Sequence, residues 1–555
     1  MRHLQKVRFI SAGLLAAAAM VACVENPLDV KNIQQPDVAK VYGSPRDVET
    51  IISHLYQQLW NAQQANTGIG VQTMVMSFES HSGLANFGLG ARAGIPRGVI
   101  SNALGNANQT ENFQDYDGLQ RNTRSAANAV AAIYAFNKAN NTIGSPARDA
   151  KAKAFGYFNI GYGLGNVALI YDSAAIITPS VASSDIPPLS SYKDVMVAAI
   201  SMLDSALAIS SSPDATNGAS GFPIPGSWLG GGTTSDMSLA EFQKLVKSYR
   251  ARFRANVART PAERAAVNWD AVISDTQGGI TADFVVNADV SAGWALGWRN
   301  QLAVDATWSQ MTPMILGMAD TARLYDAWLA TPLTQRTPFL LRTPDKRFPS
   351  GETRAAQNAV TGTSKAGTPV GTILYYRARS AGEDTSAEPW GNWYYDNWRF
   401  WGARAAGGNG PVIAFSVAEN DLLGAEGQYR KGNLAAAATL IDKTRVRAGL
   451  PALSGVVTTT TGQVPGGNAC VPRVPQGPSF TSTACGTMFE ALKWEKRVET
   501  AFTGYAQWWL DSRGWGDLVE GTALEWAVPW QELFARLNQN AYTNTSRAAK
   551  GNYGL

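Results

Sequence analysis

The stretch that decides the fold runs from Val417 to Arg447 and has the sequence VAENDLLGAEGQYRKGNLAAAATLIDKTRVR. Apolar and small residues recur at helical spacing on both sides of residues 431–433, which favour a turn. The pattern predicts two helices, Val417 to Arg430 and Leu434 to Arg447. Helices joined by so short a turn pack as antiparallel neighbours, so the stretch predicts a helical hairpin.

The second helix of this hairpin has the small-to-large spacing of tetratricopeptide repeats, in Ala436-x-x-x-Leu440. Ala154-x-x-x-Phe158 has the same spacing, and Leu423-Gly424 stands at the expected distance before the first example. Gly427 occupies the place of the expected tyrosine, so the repeats are degenerate. An irregular helical core fits this pattern about equally well.

The same periodicity predicts further helices along the chain, broken by segments rich in Gly, Ser, Thr and Pro. Two of those segments, residues 213–236 and 333–389, are too long for a minimal helical repeat and are expected to be functional or disordered loops. The fold class predicted is mostly α, with degenerate tetratricopeptide-like hairpins and long loop-rich insertions. The predicted helices are 42–60, 116–140, 145–165, 192–209, 239–258, 262–275, 488–502 and 530–537.

The amino terminus has the pattern of a bacterial lipoprotein signal. Three basic residues precede an uncharged apolar run, and Met20-Val21-Ala22 leads into Cys23. The run of about 14 residues is shorter than the roughly 20 that a membrane-spanning helix needs. We expect residues 1–22 to be a lipoprotein signal peptide, Cys23 to be lipidated, and residues 23–555 to form one body on a membrane surface. The alternative is an ordinary secretory peptide cut nearby.

Charge and composition argue against nucleic-acid binding. The formal net charge of +4 falls to +1 when residues 1–22, with three basic residues and no acid, are removed. Basic and acidic residues are interspersed, so no phosphate-neutralising surface is expected. With 45% hydrophobic and 16% charged residues, the chain has ample material for a large core.

Cys470 and Cys485 flank a proline-rich segment that cannot form a core of its own. In an oxidising envelope compartment we expect them to form a structural disulfide. The spacing is wrong for paired zinc ligands and the chain has three histidines in all, so we predict no metal site. No dinucleotide or phosphate-binding motif is present, and we predict no cofactor.

The densest aromatic stretch of the chain lies at residues 389–401 and is the first candidate ligand site. Trp390, Trp393, Tyr395 and Trp398 offer flat faces that suit sugar rings, and polar residues lie among them. Their alternation would equally suit a buried strand. This stretch therefore predicts either a ligand platform or a piece of core.

Catalysis is not predicted. The sequence lacks the Gly-x-Ser-x-Gly, His-Glu-x-x-His and phosphate-loop motifs that would carry a nucleophile, a metal or a phosphate. Two distant carboxylates could still meet in the fold, which leaves a glycoside hydrolase as an alternative. A tetratricopeptide-like scaffold that binds only protein is a third.

Four segments together resemble the SusD/RagB family of outer-membrane lipoproteins. The third of them, which lies within the opening hairpin stretch and continues through Pro451, is the most specific. The fourth departs from the family pattern at Lys496, Thr500 and Thr503. The segments are 26–27 with 41–49, 150–165, 419–426 with 432–433 and 444–451, and 494–499 with 501–505 and 511–516.

The resemblance implies a function and partners. It implies a lipid-anchored protein of the outer membrane that binds an oligosaccharide or peptide and delivers it to a TonB-dependent transporter. It also adds a second candidate site, the loop between Phe78 and Phe113 with Asn86 and Phe87, because SusD-like proteins place part of their ligand site after the first helix.

The charged residues of the third and fourth segments are expected to be scaffold. Glu495, Lys496, Arg497 and Glu499 are spaced to pair along or across helices. The partners expected for Glu426 or Glu499 are Arg445, Arg447 and Arg513.

Overall fold

Helices make up most of the secondary structure in the part of the chain that the structure describes. The computed structural model describes residues 38–65, 68–81, 89–216, 221–232, 234–296, 310–361, 373–384, 391–538 and 540–555. The helices of the first half are α1 (Val38–Val41), α2 (Pro45–Ala62), α3 (Ile69–Met76), α4 (Leu89–Ala93), α5 (Gln109–Lys138), α6 (Pro146–Ile170), α7 (Tyr192–Ser210), α8 (Pro213–Thr216), α9 (Leu239–Asn256) and α10 (Pro261–Ala265). Those of the second half are α11 (Trp269–Gln277), α12 (Pro313–Leu316), α13 (Leu324–Ala330), α14 (Arg354–Thr361), α15 (Trp401–Ala405), α16 (Val417–Arg430), α17 (Leu434–Arg445), α18 (Met488–Thr500), α19 (Gln507–Trp515) and α20 (Trp530–Ala535).

The strands of the described residues are short and form antiparallel pairs rather than a large sheet. The prediction of a mostly α fold is therefore confirmed. The pairs are β1 (Ser173–Ala175) with β2 (Leu189–Ser191), β3 (Phe284–Ala288) with β6 (Gly410–Phe415), β4 (Tyr376–Ala378) with β5 (Tyr395–Asn397), and β7 (Arg473–Pro475) with β8 (Thr483–Cys485).

Helix α6 is buried along most of its length and packs against α5 and α7. Small residues make this possible. A Cβ atom at Gly163 would lie 2.0 Å from the Thr123 hydroxyl of α5, and one at Gly161 would lie 2.7 Å from Leu203 of α7. Since real side chains do not approach so closely, these glycines set the distance between the helices.

The hairpin predicted between residues 417 and 447 is confirmed as α16 and α17, although α17 ends at Arg445. The Ser416 hydroxyl caps α16 by accepting the Glu419 N–H at 3.0 Å. Gly427 stands where a tetratricopeptide repeat has tyrosine because α11 crosses there. A Cβ at Gly427 would lie 2.7 Å from Ile273, so a larger residue would separate the two helices.

The other predicted helices are present, but one is divided and several helices were not predicted, among them α3, α13 and α14, the last of which lies within the predicted loop 333–389. The predicted helix 262–275 is two helices, because Thr260 caps α10 and Asn268 caps α11. Helix α19 was missed. All nine of its residues are buried, so no polar face interrupts the apolar residues to give a helical period.

The charged residues near the carboxyl terminus form a buried ionic network, as expected for scaffold. Arg347 has no exposed side-chain surface and contacts Asp345 at 2.7 Å, Glu495 at 2.8 Å and Glu499 at 3.1 Å. Arg447 pairs with Glu499 at 2.6 Å, as predicted.

Two of the predicted ionic partners are wrong. Arg445 lies 3.9 Å from Glu495 rather than beside Glu426 or Glu499. Arg513 donates to the backbone carbonyls of residues 524 and 256, at 2.8 and 2.9 Å, and burial lowers its pKa well below the ordinary value. Glu426 pairs with Arg264 at 2.6 Å instead. Burial alone would raise the pKa of Glu426, but the Arg264 guanidinium outweighs that effect and holds the pKa well below its usual range.

Cys470 and Cys485 are joined by a disulfide, with their Cα atoms 5.7 Å apart. It links the segment before β7 to the end of β8. Cys23 and the predicted signal peptide lie outside the described residues. Within the described ranges, no helix is both long enough and apolar enough to cross a membrane.

Candidate ligand-binding site

Three aromatic residues of the first candidate stretch belong to the core. Trp393 and Tyr395 have no exposed surface, and Trp398 is 3% exposed. The Trp393 Nε1 donates to the Phe339 carbonyl at 2.7 Å. The Tyr395 hydroxyl donates to the Gln357 side chain at 2.6 Å.

This burial contradicts the interpretation of Trp393, Tyr395 and Trp398 as a ligand platform. All three residues of β5 are buried, so the strand has no solvent face on which alternate rings could stand. The rings pack on one another instead, with the centroids of Trp393 and Tyr395 4.7 Å apart. Trp390, the remaining member of the predicted platform, lies outside the described residues.

One aromatic ring of the stretch does reach the surface. Tyr394, between the two buried rings, is partly exposed, and the Arg354 guanidinium lies 4.3 Å from its ring centroid. Two nitrogens of that guanidinium contact the Asp384 carboxylate at 2.6 and 2.7 Å. The Tyr394 ring therefore packs against an arginine that is itself paired with a carboxylate, and this contact favours one orientation of the ring.

The second candidate loop connects to the first through the backbone. Asn86 and Phe87 lie outside the described residues, but His81 is described and buried. His81 and Gln310 exchange two backbone hydrogen bonds, of 2.6 and 2.8 Å. The His81 ring lies against Gly391, where a Cβ atom would be 2.1 Å from Cδ2.

We call His81, Gln310 and Gly391 the junction. Gln310 and Gly391 follow His81 by 229 and 310 positions along the chain, yet both are in contact with it. Each of the three residues adjoins a stretch outside the described residues: His81 precedes 82–88, Gln310 follows 297–309, and Gly391 follows 385–390. The Met311 N–H donates to the Tyr395 carbonyl at 3.3 Å, which ties the junction to β5.

The backbone beside the junction is strained. Phe78, Phe502 and Ala506 have φ angles of 61°, 58° and 60°, a conformation that costs a residue with a side chain about 1 to 3 kcal/mol. The Glu79 carboxylate accepts the Phe502 N–H at 2.5 Å and so holds two of these residues together. Such strain persists where the surrounding structure fixes it, and it is most frequent at functional sites.

A buried arginine supports the strained turn. The Arg97 guanidinium lies 4.7 Å from the centroid of the Phe78 ring and donates to the carbonyls of Arg92 and Ala93 at 2.5 and 2.6 Å. A further contact reaches the Met76 carbonyl at 3.1 Å. Burial lowers the pKa of Arg97 to about 9. The group therefore braces backbone carbonyls rather than a carboxylate.

A separate cleft of about 320 Å³ contains three carboxylates, which tests the hydrolase alternative. Asp236 accepts the Gly226 N–H at 2.8 Å, and Asp283 accepts the Val417 N–H at 2.8 Å. Glu241 completes the cap of α9 with Ser238. Each carboxylate accepts a backbone N–H, and the hydrogen bonds from Ser238 lower the pKa of Glu241, the opposite of what a general acid requires.

A second cavity, of about 600 Å³, is an apolar groove between α7 and the segment from α9 to α11. Its floor contains Met196, Val197 and Ile200, and the ion pair of Lys193 with Glu263, at 2.9 Å, stands at its rim. Among the described residues, no group of three or more potential ligands could hold a metal ion.

The sequence interpretation missed the junction partner Gln310 and the two tryptophans of the adjoining stretch, Trp298 and Trp308. No local pattern marks Gln310, since its partner is 229 residues away. The two tryptophans are visible in the sequence as aromatic residues among Asn, Gln and Arg, which is the composition that identified residues 389–401.

Comparison with known proteins gives structural matches only. No protein-family model and no curated protein matches the sequence. A solved structure of a SusD superfamily protein from Bacteroides vulgatus is 13% identical in sequence to this chain. The match covers 86% of this chain and 89% of that protein's chain, with a TM-score of 0.50. A SusD homolog from Parabacteroides distasonis is 12% identical over 84% of each chain, with a TM-score of 0.48. The first of these matches, which covers most of both chains, shows that the chain has the fold of the SusD superfamily.

Proposed function

We propose that this chain is a surface nutrient-binding lipoprotein, which captures an oligosaccharide or peptide and delivers it to a TonB-dependent outer-membrane transporter. The fold supports this proposal, and the amino-terminal lipoprotein pattern, with lipidation at Cys23, supports the location. The observation that carries the binding role is the junction. It brings together His81, Gln310 and Gly391, each of which adjoins a stretch with an aromatic residue, and two of those stretches also contain Asn or Gln.

The proposed ligand residues belong to those stretches. Asn86 and Phe87 follow His81, and Trp390 precedes Gly391. Because their chain neighbours are in contact, a ligand could meet residues of both stretches at once. Rings and side-chain amides in combination suit the apolar faces and hydroxyl groups of sugars, and equally the side chains and backbone of an extended peptide.

We propose binding without catalysis. Each of the three carboxylates of the 320 Å³ cleft accepts a backbone N–H group, which gives it a role in the scaffold. The apolar groove beside α7 favours the scaffold alternative, in which the helical hairpins bind only protein. That alternative predicts no affinity for small glycans or peptides.

Ligand binding is tested on the mature chain carrying Cys23→Ala, with a panel of glycans and peptides and with product analysis. Trp390→Ala should weaken binding by about 1 to 3 kcal/mol, as the loss of an aromatic contact at a hot spot does. Tyr134→Ala, at a ring that is 43% exposed elsewhere, is the matched control and should bind as the wild type does. Fragmentation of a ligand would refute the binding-only proposal, and equal affinity of both variants would refute Trp390 as a contact.

Lipidation and the partner are tested separately. A radioactive fatty acid should label the wild-type chain and not Cys23→Ala, and equal labelling of both would refute the anchor. A tagged chain extracted in mild detergent should co-purify with a large outer-membrane barrel protein. Recovery of the chain alone would favour the scaffold alternative.

A further inference from the structure

Exposed apolar side chains are concentrated on one part of the surface. Of the thirteen large apolar side chains that are exposed among the described residues, six lie on three chain segments that meet. Leu537 is the extreme case, with 92% of its side chain exposed. We call these six residues the apolar patch: Val99, Leu104, Ile186, Phe534, Leu537 and Tyr542.

Hydrogen bonds hold the three segments of the apolar patch together. The Asn102 side chain donates to the carbonyls of Val528 and Tyr542 at 2.9 and 3.0 Å. The Arg536 guanidinium donates to the Pro187 carbonyl at 2.6 Å. The patch is therefore formed by the tertiary structure, and its exposed side chains are presented by anchored backbone.

Two stretches of the patch contain no charged residue, although Asp185 precedes Ile186 and the Tyr542 hydroxyl donates to the Asp172 carboxylate at 2.8 Å. Residues 98–109 and 537–546 contain no Asp, Glu, Lys or Arg, and both are rich in Asn and Gln. Arg536 is neutralised by Glu532 at 2.6 Å. Protein interfaces are depleted of charge at their centre and enriched in aromatic residues, as this patch is. Surfaces that bind lipid headgroups carry Lys and Arg instead, so the composition favours a protein occupant over a lipid one.

Hydrogen bonds link the start of the described chain, through α5, to one segment of the patch. The Tyr42 hydroxyl donates to the Ser125 carbonyl at 3.4 Å, and the neighbouring Arg124 donates to the carbonyls of Ala182 and Asp185 at 3.2 and 2.9 Å. Asp185 directly precedes Ile186 of the patch. The amino-terminal segment thus joins the body at a face of α5 that also contacts the segment leading into Ile186.

The length of that segment limits where the patch can lie. The stretch from Cys23 to Val38 spans at most roughly 50 Å, at about 3.3 to 3.6 Å for each extended residue. A lipid anchor at Cys23 would therefore keep this face within reach of proteins embedded in the same membrane.

We propose that the apolar patch is the surface by which the chain docks on an integral outer-membrane protein, the transporter of the proposed function. This inference rests on that function and adds the location of the interface. The tether supplies proximity, and the exposed apolar side chains supply the area that becomes buried on docking.

The test is site-specific photo-crosslinking in native membranes. A benzophenone amino acid replaces Leu104, Phe534 or Leu537 in the full-length chain. The matched controls carry it at Val290 or Val456, which are 59% and 62% exposed and lie on other segments. We expect each patch position to yield an adduct with an integral outer-membrane protein identified by mass spectrometry, and the control positions to yield none.

Other adducts would overturn the inference. Crosslinks from the patch only to lipid, or to a second copy of the chain, would show that the patch binds something else. Equal adducts from the control positions would show that crosslinking is not specific to the patch. If the tagged chain co-purifies with a barrel protein while the patch yields no adduct, the inference is wrong and the proposed function stands. If no barrel protein co-purifies, the proposed transporter partnership is contradicted, and the inference that rests on it is contradicted as well.

A double variant gives an independent readout. Leu537 has a φ of 59°, a conformation that Asn tolerates, so Leu104→Asn with Leu537→Asn should preserve the fold. The variant should lose co-purification of the barrel protein at an unchanged melting temperature, whereas Val290→Asn with Val456→Asn should keep it. Full retention by the patch variant would also overturn the inference.

Discussion

Asp115 is a buried carboxyl group that should make the stability of the fold depend on pH. Its Oδ2 accepts the Ile69 N–H at 3.2 Å and the Tyr505 hydroxyl at 2.6 Å. Its Oδ1 has no hydrogen-bond partner among the described residues, and a Cβ atom at Gly68 would lie 2.4 Å from it. Burial raises the pKa of Asp115 to about 7, against the lowering effect of its two hydrogen bonds.

The sign of the effect follows from proton binding. In the unfolded chain the group titrates near its ordinary pKa of 3.8, so between pH 4 and 7 the folded state holds a proton that the unfolded state lacks. The stabilising contribution is fully present below pH 4 and is lost as pH rises through 7. About three pKa units at 1.36 kcal/mol each give a loss of roughly 4 kcal/mol in the free energy of unfolding.

The variant Asp115→Asn removes the titration and keeps an oxygen that can accept from Ile69 and Tyr505. Urea unfolding of both chains at pH 4, 5, 6, 7 and 8 measures the difference between their free energies of unfolding. As pH rises, the free energy of unfolding of the wild-type chain should fall by several kcal/mol relative to that of the variant. Asp117→Asn, on the same helix but 36% exposed, should give a flat difference. A flat difference for Asp115→Asn as well would refute the raised pKa.

The remaining predictions concern the scaffold. Arg347→Met removes the cation that three buried carboxylates share, although Glu499 keeps its pair with Arg447, and should cost about 3 to 5 kcal/mol in chemical unfolding. Arg121→Met, at an exposed pair, should cost less than about 1 kcal/mol, and similar losses would contradict the buried network. Trp393→Ala should cost about 3 to 5 kcal/mol, much more than the same change at its partly exposed neighbour Tyr394, and a small loss at Trp393 with weakened ligand affinity would restore the platform. Cys470→Ser should lower stability by about 3 kcal/mol without reductant, and no change would mean that the disulfide is not formed in solution.

Local sequence patterns predicted several helices from the residues that cap them. Helix α16 begins directly after Ser416, and α6 begins at Pro146 after Ser145, because a hydroxyl and a proline at those positions fix the first turn. Helix α19 has neither signal. Its N-cap is Ala506 at a φ of 60°, and it has no polar face. Contacts from the rest of the molecule determine that helix, so its own nine residues do not predict it.

Local sequence predicts the candidate site even less well than it predicts helix α19. Alternation in residues 393–395 indicates a strand, but whether a strand has one buried face or two depends on what packs against it. Here Phe339 and Gln357 contact two of the rings that the sequence interpretation left open between a ligand platform and core, and the ring of Tyr394 is partly exposed. The junction likewise depends on pairing across 229 residues, which no local period encodes. Residues near a ligand are therefore better sought where distant segments meet than where aromatic residues are densest, and in this chain that criterion favours the stretches beside His81, Gln310 and Gly391 over the aromatic core.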